Sequence, residues 1–131
     1  MTPGSVRDLR AMIASMAPVL SERAWSFQAI VDDAFIPPTA FAVVREEEGM
    51  TCILPAQAAG SDTPQFAKIT LSVHSDLEAV GLTSAVSTAL ATSGIACNVI
   101  AGLHHDHLFV PWDLRDDALS LLERLSKDAH R

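Results

Sequence analysis

Positive charge is scarce in this chain of 131 residues: nine Lys and Arg stand against sixteen Asp and Glu, for a formal net charge of −7. The basic residues are scattered, so the clustered cations that a phosphate backbone requires are missing, and nucleic acid is not an expected partner. Met1-Thr2-Pro3-Gly4 offers no basic segment followed by an apolar one, so no signal peptide is expected. No apolar run approaches the roughly 20 residues that span a bilayer. Cysteine is limited to Cys52 and Cys97, without Cys-x-x-Cys spacing. Both fall in predicted strands and read as ordinary buried thiols. The chain also lacks a Gly-x-Ser-x-Gly nucleophile motif and a His-Glu-x-x-His pair. The expectation is a cytoplasmic protein that is not an enzyme and has no resident metal or cofactor.

What is present is apolar side chain. Nearly half the residues are hydrophobic and 19% are charged, which suits a packed core and one domain's worth of chain. Ser5 is a candidate cap for a first helix whose Leu9, Met12, Ile13 and Met16 share a face, with Pro18 closing it. Trp25 to Val31 reads as a strand, and Asp32-Asp33-Ala34-Phe35-Ile36-Pro37-Pro38 as a turn-rich connection. Thr39 to Pro55, "TAFAVVREEEGMTCILP", reads as a β-hairpin with a solvated Glu46-Glu47-Glu48 tip. Ala56 to Gln65, "AQAAGSDTPQ", has turn formers and no periodicity, and it divides the chain near residue 60.

The second half is more regular. From Phe66 to His74, Ile69, Leu71 and Val73 face one way, while Lys68, Thr70, Ser72 and His74 face the other. Ser75 to Gly81 is a loop. Leu82, Ala85, Val86, Ala89 and Leu90 form a helical stripe that ends at Gly94. Ile95 to Ala101 and Leu108 to Trp112 read as strands, and Asp113 as the cap of a last helix carrying Leu114, Ala118, Leu121, Leu122 and Leu125. Strand, helix, strand, strand, helix places the third strand between the first two. One more strand is needed, and Trp25 to Val31 or the hairpin is the expected donor.

Two stretches carry candidate chemistry. Gly81 precedes a helix N-terminus, where backbone N–H groups favour an anion, and Asp76 can meet a cation of the same ligand. Ser75 and Asp76 equally suit a simple turn. "GLHHDHLFVP" (Gly102 to Pro111) gathers three histidines and an acid. Strand parity puts His107 on the side of His74, and His105 joins them if the strand extends that far. That trio has the ligand number of a catalytic zinc site. A tight turn would instead splay the rings, and contact with a ligand or a partner subunit is the third reading.

The stretch "ITLSVHSDLEAVGLTSAVSTALATSGIACNVIAGLHHDHLFVP" resembles the ACT domain, in the form found in small bacterial proteins built from two ACT-like halves. "AFAVVREEEGMTCILP" resembles the N-terminal half of that group, and the likeness covers roughly residues 5 to 126. Related repeats occur in animal arginine sensors and in the regulatory region of aspartate kinases. The resemblance implies an α+β, ferredoxin-like (ACT-type) antiparallel sheet backed by helices. It divides into an N-terminal half of helix, strand and β-hairpin (1–60) and a C-terminal β-α-β-β-α unit (66–131). It also implies a non-catalytic module that binds or senses a small molecule, typically an amino acid, and that pairs as a homodimer. Carried onto this sequence, the ligand contacts fall on Ser75, Asp76, Val80, Gly81 and Leu82, with Asn98 on the second strand. His74, His105 and His107 are expected to wall the same pocket.

Overall fold

The computed structural model describes residues 8–31, 35–56 and 62–130. Ser5, the Asp32-Asp33-Ala34 turn and residues 57–61 of the predicted linker lie outside them. The cap of α1 (Leu9–Ala14) is Asp8, whose carboxylate accepts from the Ala11 N–H at 2.9 Å. Met12 is the buried side chain of that short helix.

Pro18 does more than end a helix. It opens β1 (Pro18–Leu20), which pairs antiparallel with Leu71, Thr70 and Ile69. Proline is tolerated at the first residue of an edge strand, and three residues are too few to show an alternation. Beyond β1 come β2 (Trp25–Ile30), β3 (Ala42–Glu46), β4 (Gly49–Pro55), β5 (Phe66–Leu71), α2 (Leu82–Thr92), β6 (Asn98–Ala101), β7 (Asp106–Pro111) and α3 (Arg115–Asp128). The sheet order is β3-β4-β2-β5-β7-β6, with β1 also on β5. The neighbouring strands pair antiparallel. β7 lies between β5 and β6, the place expected for the third strand. The extra strand is supplied jointly: β1 pairs with the end of β5, and Trp25 of β2 pairs with Phe66 at its start.

Three boundaries differ from the sequence reading, each for a local reason. Ile95 does not begin β6. Its N–H bonds the Leu90 carbonyl while the Gly94 N–H bonds that of Ala91, with Gly94 at φ 73°. This Schellman closure makes buried Ile95 the apolar plug after α2. Asp113 does not cap α3, because a 3-10 turn (Trp112–Leu114) precedes that helix, and Leu114 holds the cap position with no side-chain bond. β5 ends at Leu71, after which the Ser72 and Val73 N–H groups bond the Met16 carbonyl instead of a strand. The alternation persists all the same, since Val73 is buried with Ile69 and Leu71.

The sheet separates two apolar clusters. On the helix side, Ile69, Leu71, Leu108 and Val110 pack with Met12, Met16, Leu82, Val86, Leu90, Ala118 and Leu122. On the other side, Trp25, Ile53 and Phe109 pack with Phe27, Phe41, Ala42, Phe66 and Ile100. Burying one such Leu or Phe side chain stabilises the fold by about 1.5–3 kcal/mol. Phe41 stands at the mouth of β3, four strands from β7 in the sheet order, yet its ring reaches Phe109 at 5.7 Å. The sheet is therefore strongly curled, and its helix-free face is concave.

Candidate functional site

β5 ends where the β6–β7 hairpin turns, so the Ser75–Gly81 loop and the histidine cluster share one end of the sheet. Asp106 pairs with Ala101, and the Gly102 N–H bonds the His105 carbonyl at 2.9 Å, leaving Leu103 and His104 at the tip. Crowding favours glycine at 102. A Cβ there would stand 3.0 Å from the His105 oxygen and 3.6 Å from His107 Nε2.

This tight turn splays the rings. His74 lies beside His104, ring centres 5.3 Å apart and planes tilted by 39°, and His104 lies 6.4 Å from His105. The Nδ1 of His105 is buried with no hydrogen-bond partner. His107 points to the concave face, where its Nδ1 lies 2.9 Å from Thr70 Oγ1 and its ring 4.8 Å from Phe41. His74, His105 and His107 thus do not assemble as the three ligands of an ion. Among the described residues no group of three His, Cys, Asp or Glu is placed to hold a metal. The metal-site reading is corrected accordingly: parity held for His107, but the turn sent His74 to His104 instead.

The loop is organised by its own polar atoms. The Asp76 carboxylate accepts from the Glu78 N–H at 2.8 Å, and the Asp76 carbonyl accepts from the Ala79 N–H at 2.9 Å. This is an Asx turn of the kind the sequence allowed. Ser75 Oγ donates to Asp106 at 3.3 Å, which ties the loop to the first residue of β7. Gly81 then takes a left-handed conformation, φ 109°, at the N-terminus of α2, and no side chain caps that helix. Leu82 turns into the core, whereas Val80 is 83% exposed. Asn98 is the outlier among the predicted contacts. It pairs with Phe109 at the far end of β6, on the strand's concave side, and does not join the loop.

Contacts that the sequence reading did not anticipate complete the concave face. The Lys68 ammonium lies over the rings of Trp25 and Phe41, at 4.8 and 4.3 Å from their centres. Burial holds its pKa below the ordinary lysine value. Burial, then Lys68, then His105 push His107 below the usual histidine value, and Asp106 opposes them. The alternation of β5 already put Lys68 on the side of Thr70. The partner rings, Trp25 and Phe41, come from strands whose arrangement no local pattern shows.

A curled antiparallel sheet with helices on one face, carrying a loop between the first strand and helix of its C-terminal unit, is the architecture of an ACT module. Two ACT-domain family models match the sequence, over residues 4–68 and 64–124, and the chain belongs to the ACT-domain family. Among solved structures it is similar to a Vibrio cholerae protein of unknown function, described as a possible transport protein. That likeness has 40% identity and a TM-score of 0.72, and it covers 86% of this chain and 91% of the other. It is also similar to a protein from Agobacterium tumefaciens (16% identity, TM-score 0.62, 79% and 84% covered). The ligand-free regulatory subunit of aspartate kinase from Thermus thermophilus shares the fold at 10% identity and TM-score 0.62, with 85% and 97% covered. A comparison with curated proteins finds no match. ACT domains are regulatory, ligand-binding modules, typically for amino acids. Among the described residues, no helix is long and apolar enough to cross a membrane.

Proposed function

We propose that this chain is a non-catalytic, cytoplasmic ACT protein that binds an amino acid at the loop running from Ser75 to Leu82, and that it works as a homodimer of chains with halves at 1–60 and 66–131. The single observation that carries the reading is the entry to α2. A left-handed Gly81 leads into a helix with no side-chain cap and no acid in its first turn, next to the ordered carboxylate of Asp76. The amide end suits an α-carboxylate, and Asp76 suits an ammonium or guanidinium. Ser75 and Val80 line the approach, with His74 and His105 on the hairpin side, and Leu82 contributes its backbone N–H at the helix entry while its side chain anchors the helix in the core. Asn98 belongs to the proposal only through a neighbouring chain, since it sits apart on the edge strand β6.

The test is a thermal-shift and calorimetric screen of the twenty amino acids at millimolar concentration. Ligand at 100 times its Kd stabilises the native state by about 2.7 kcal/mol, a readily measured rise in Tm. Absence of both heat and shift for all twenty rejects amino-acid binding. Light scattering that gives a single-chain mass at micromolar concentration rejects the homodimer.

A further inference from the structure

The concave face holds an electrostatic arrangement that neither the packing of the sheet nor the loop reading uses. In a chain of net charge −7, the Lys68 ammonium meets two aromatic rings and, among the described residues, no paired carboxylate. The Arg23 guanidinium lies over the same Trp25 ring, 5.9 Å from its centre. Trp25 is only 7% exposed, and its indole N–H is buried without an acceptor. A buried donor without a partner is destabilising, and a half-buried cation among rings has given up part of its water without gaining an anion. Both groups lack the same thing, an acceptor of negative charge.

Phe41 stands at the centre of this group. Its ring meets Trp25 at 5.9 Å, Phe109 at 5.7 Å, His107 at 4.8 Å and the Lys68 ammonium at 4.3 Å. It precedes β3, is only partly buried, and follows a turn at Pro37–Ala40 closed by one backbone bond of 3.0 Å. Its backbone is held, since the Phe41 N–H bonds the Ile53 carbonyl of β4 at 2.8 Å, so the exchange requires only that the partly buried ring rotate away from the groups on the neighbouring strands.

We propose that the concave face is a binding site for a small aromatic carboxylate, whose ring replaces that of Phe41 against Phe109 and whose carboxylate accepts from the Lys68 ammonium and the Trp25 indole N–H. The ring contacts are conserved in the exchange, and the anion supplies the acceptor that Phe41 cannot. This site lies across the sheet from α2 and is independent of the amino-acid loop, so its failure leaves that reading standing.

The probe is benzoate, with benzamide as its neutral analogue and inorganic phosphate as an anion without a ring. Calorimetric titration of Phe41→Ala, shown folded by its melting curve, is expected to give benzoate binding at least tenfold tighter than in the natural protein and at least tenfold tighter than benzamide. Adding Lys68→Met is expected to remove that preference. The Trp25 indole N–H resonance, told from that of Trp112 with a Trp112→Phe variant, is expected to shift with benzoate only. Equal binding of benzoate and benzamide would mean that a ring merely fills a hole, and it overturns the proposal. So do benzoate binding indifferent to Lys68→Met, phosphate binding as tight as benzoate, and no benzoate binding at all. Should Phe41→Ala not fold, Phe41→Leu is measured against the same outcomes.

Discussion

Gly81 sits where the chain enters α2 from the candidate ligand loop, and Gly81→Ala asks what that corner costs. The backbone there is at φ 109°, ψ −22°, outside the region that L-residues adopt freely. Left-handed backbone costs a residue with a Cβ about 1–2 kcal/mol. A second term is contact: the new Cβ would stand 3.0 and 3.1 Å from the two Cδ atoms of Leu9. Leu9 is 39% exposed at the start of a short helix, so its flexible end can withdraw. The strain should therefore dominate. The narrower unfolded ensemble of alanine offsets part of it in principle, but Ala at positive φ is destabilising on balance. The expected loss is about 1.5 kcal/mol. With roughly 2.1 cal/mol/K of unfolding entropy per residue, that loss lowers Tm by about 5 °C. Urea unfolding followed by circular dichroism measures it, with two controls. Gly94→Ala has φ 73° and no heavy atom within 4 Å of its Cβ, so it reports strain alone and should cost a similar amount. Adding Leu9→Ala to Gly81→Ala should rescue little. A Gly81→Ala protein as stable as the natural one, or full rescue by Leu9→Ala, would refute the assignment of the cost to backbone strain.

Three further outcomes follow from the packing. Leu122→Ala, at a fully buried site in the helix-side core, should cost about 2–5 kcal/mol in urea unfolding, and a loss below 1 kcal/mol would contradict its place there. His107 has a folded pKa below its unfolded value, so the unfolded chain binds more protons in the window between the two. Its contribution is complete above the ordinary histidine range and is lost as pH falls through that range toward the folded value. The stability difference between the natural protein and His107→Gln should therefore shrink from pH 8 to pH 5, and a difference that grows on acidification would show the sign to be wrong. Cys52 is buried and burial raises the pKa of Cys97, so neither thiol should react quickly with a disulfide reagent at pH 8. Both should react at once in urea; a fast thiol in the native protein would refute this.

Much of the architecture was legible before any coordinates. Alternation along β5 assigned Ile69, Leu71 and Val73 to the helix side and Lys68 and Thr70 to the other. A 3.6-residue stripe marked α2, and Gly94 marked its end. The order of elements put β7 between β5 and β6, and the resemblance to ACT domains agreed with all of it. These features are local: a repeat of two or of 3.6 residues, or a glycine at a helix end, acts within a few residues of itself. Boundaries were less legible, because Ile95 is strand-like in type but serves as the plug of a Schellman closure.

The tertiary structure alone decided what each pattern meets. Three residues, Pro18–Leu20, carry no periodic signal, and they become a strand because the free edge of β5 supplies their hydrogen bonds. His74, His105 and His107 have the parity of a metal trio. The turn at Gly102–His105 gives His104 to His74, and the curl of the sheet gives Phe41 to His107. The same curl sets Lys68 between Trp25 and Phe41, at a distance in sequence that no local rule spans. Sequence fixes which face a side chain takes; closure of the chain on itself fixes what stands across from it.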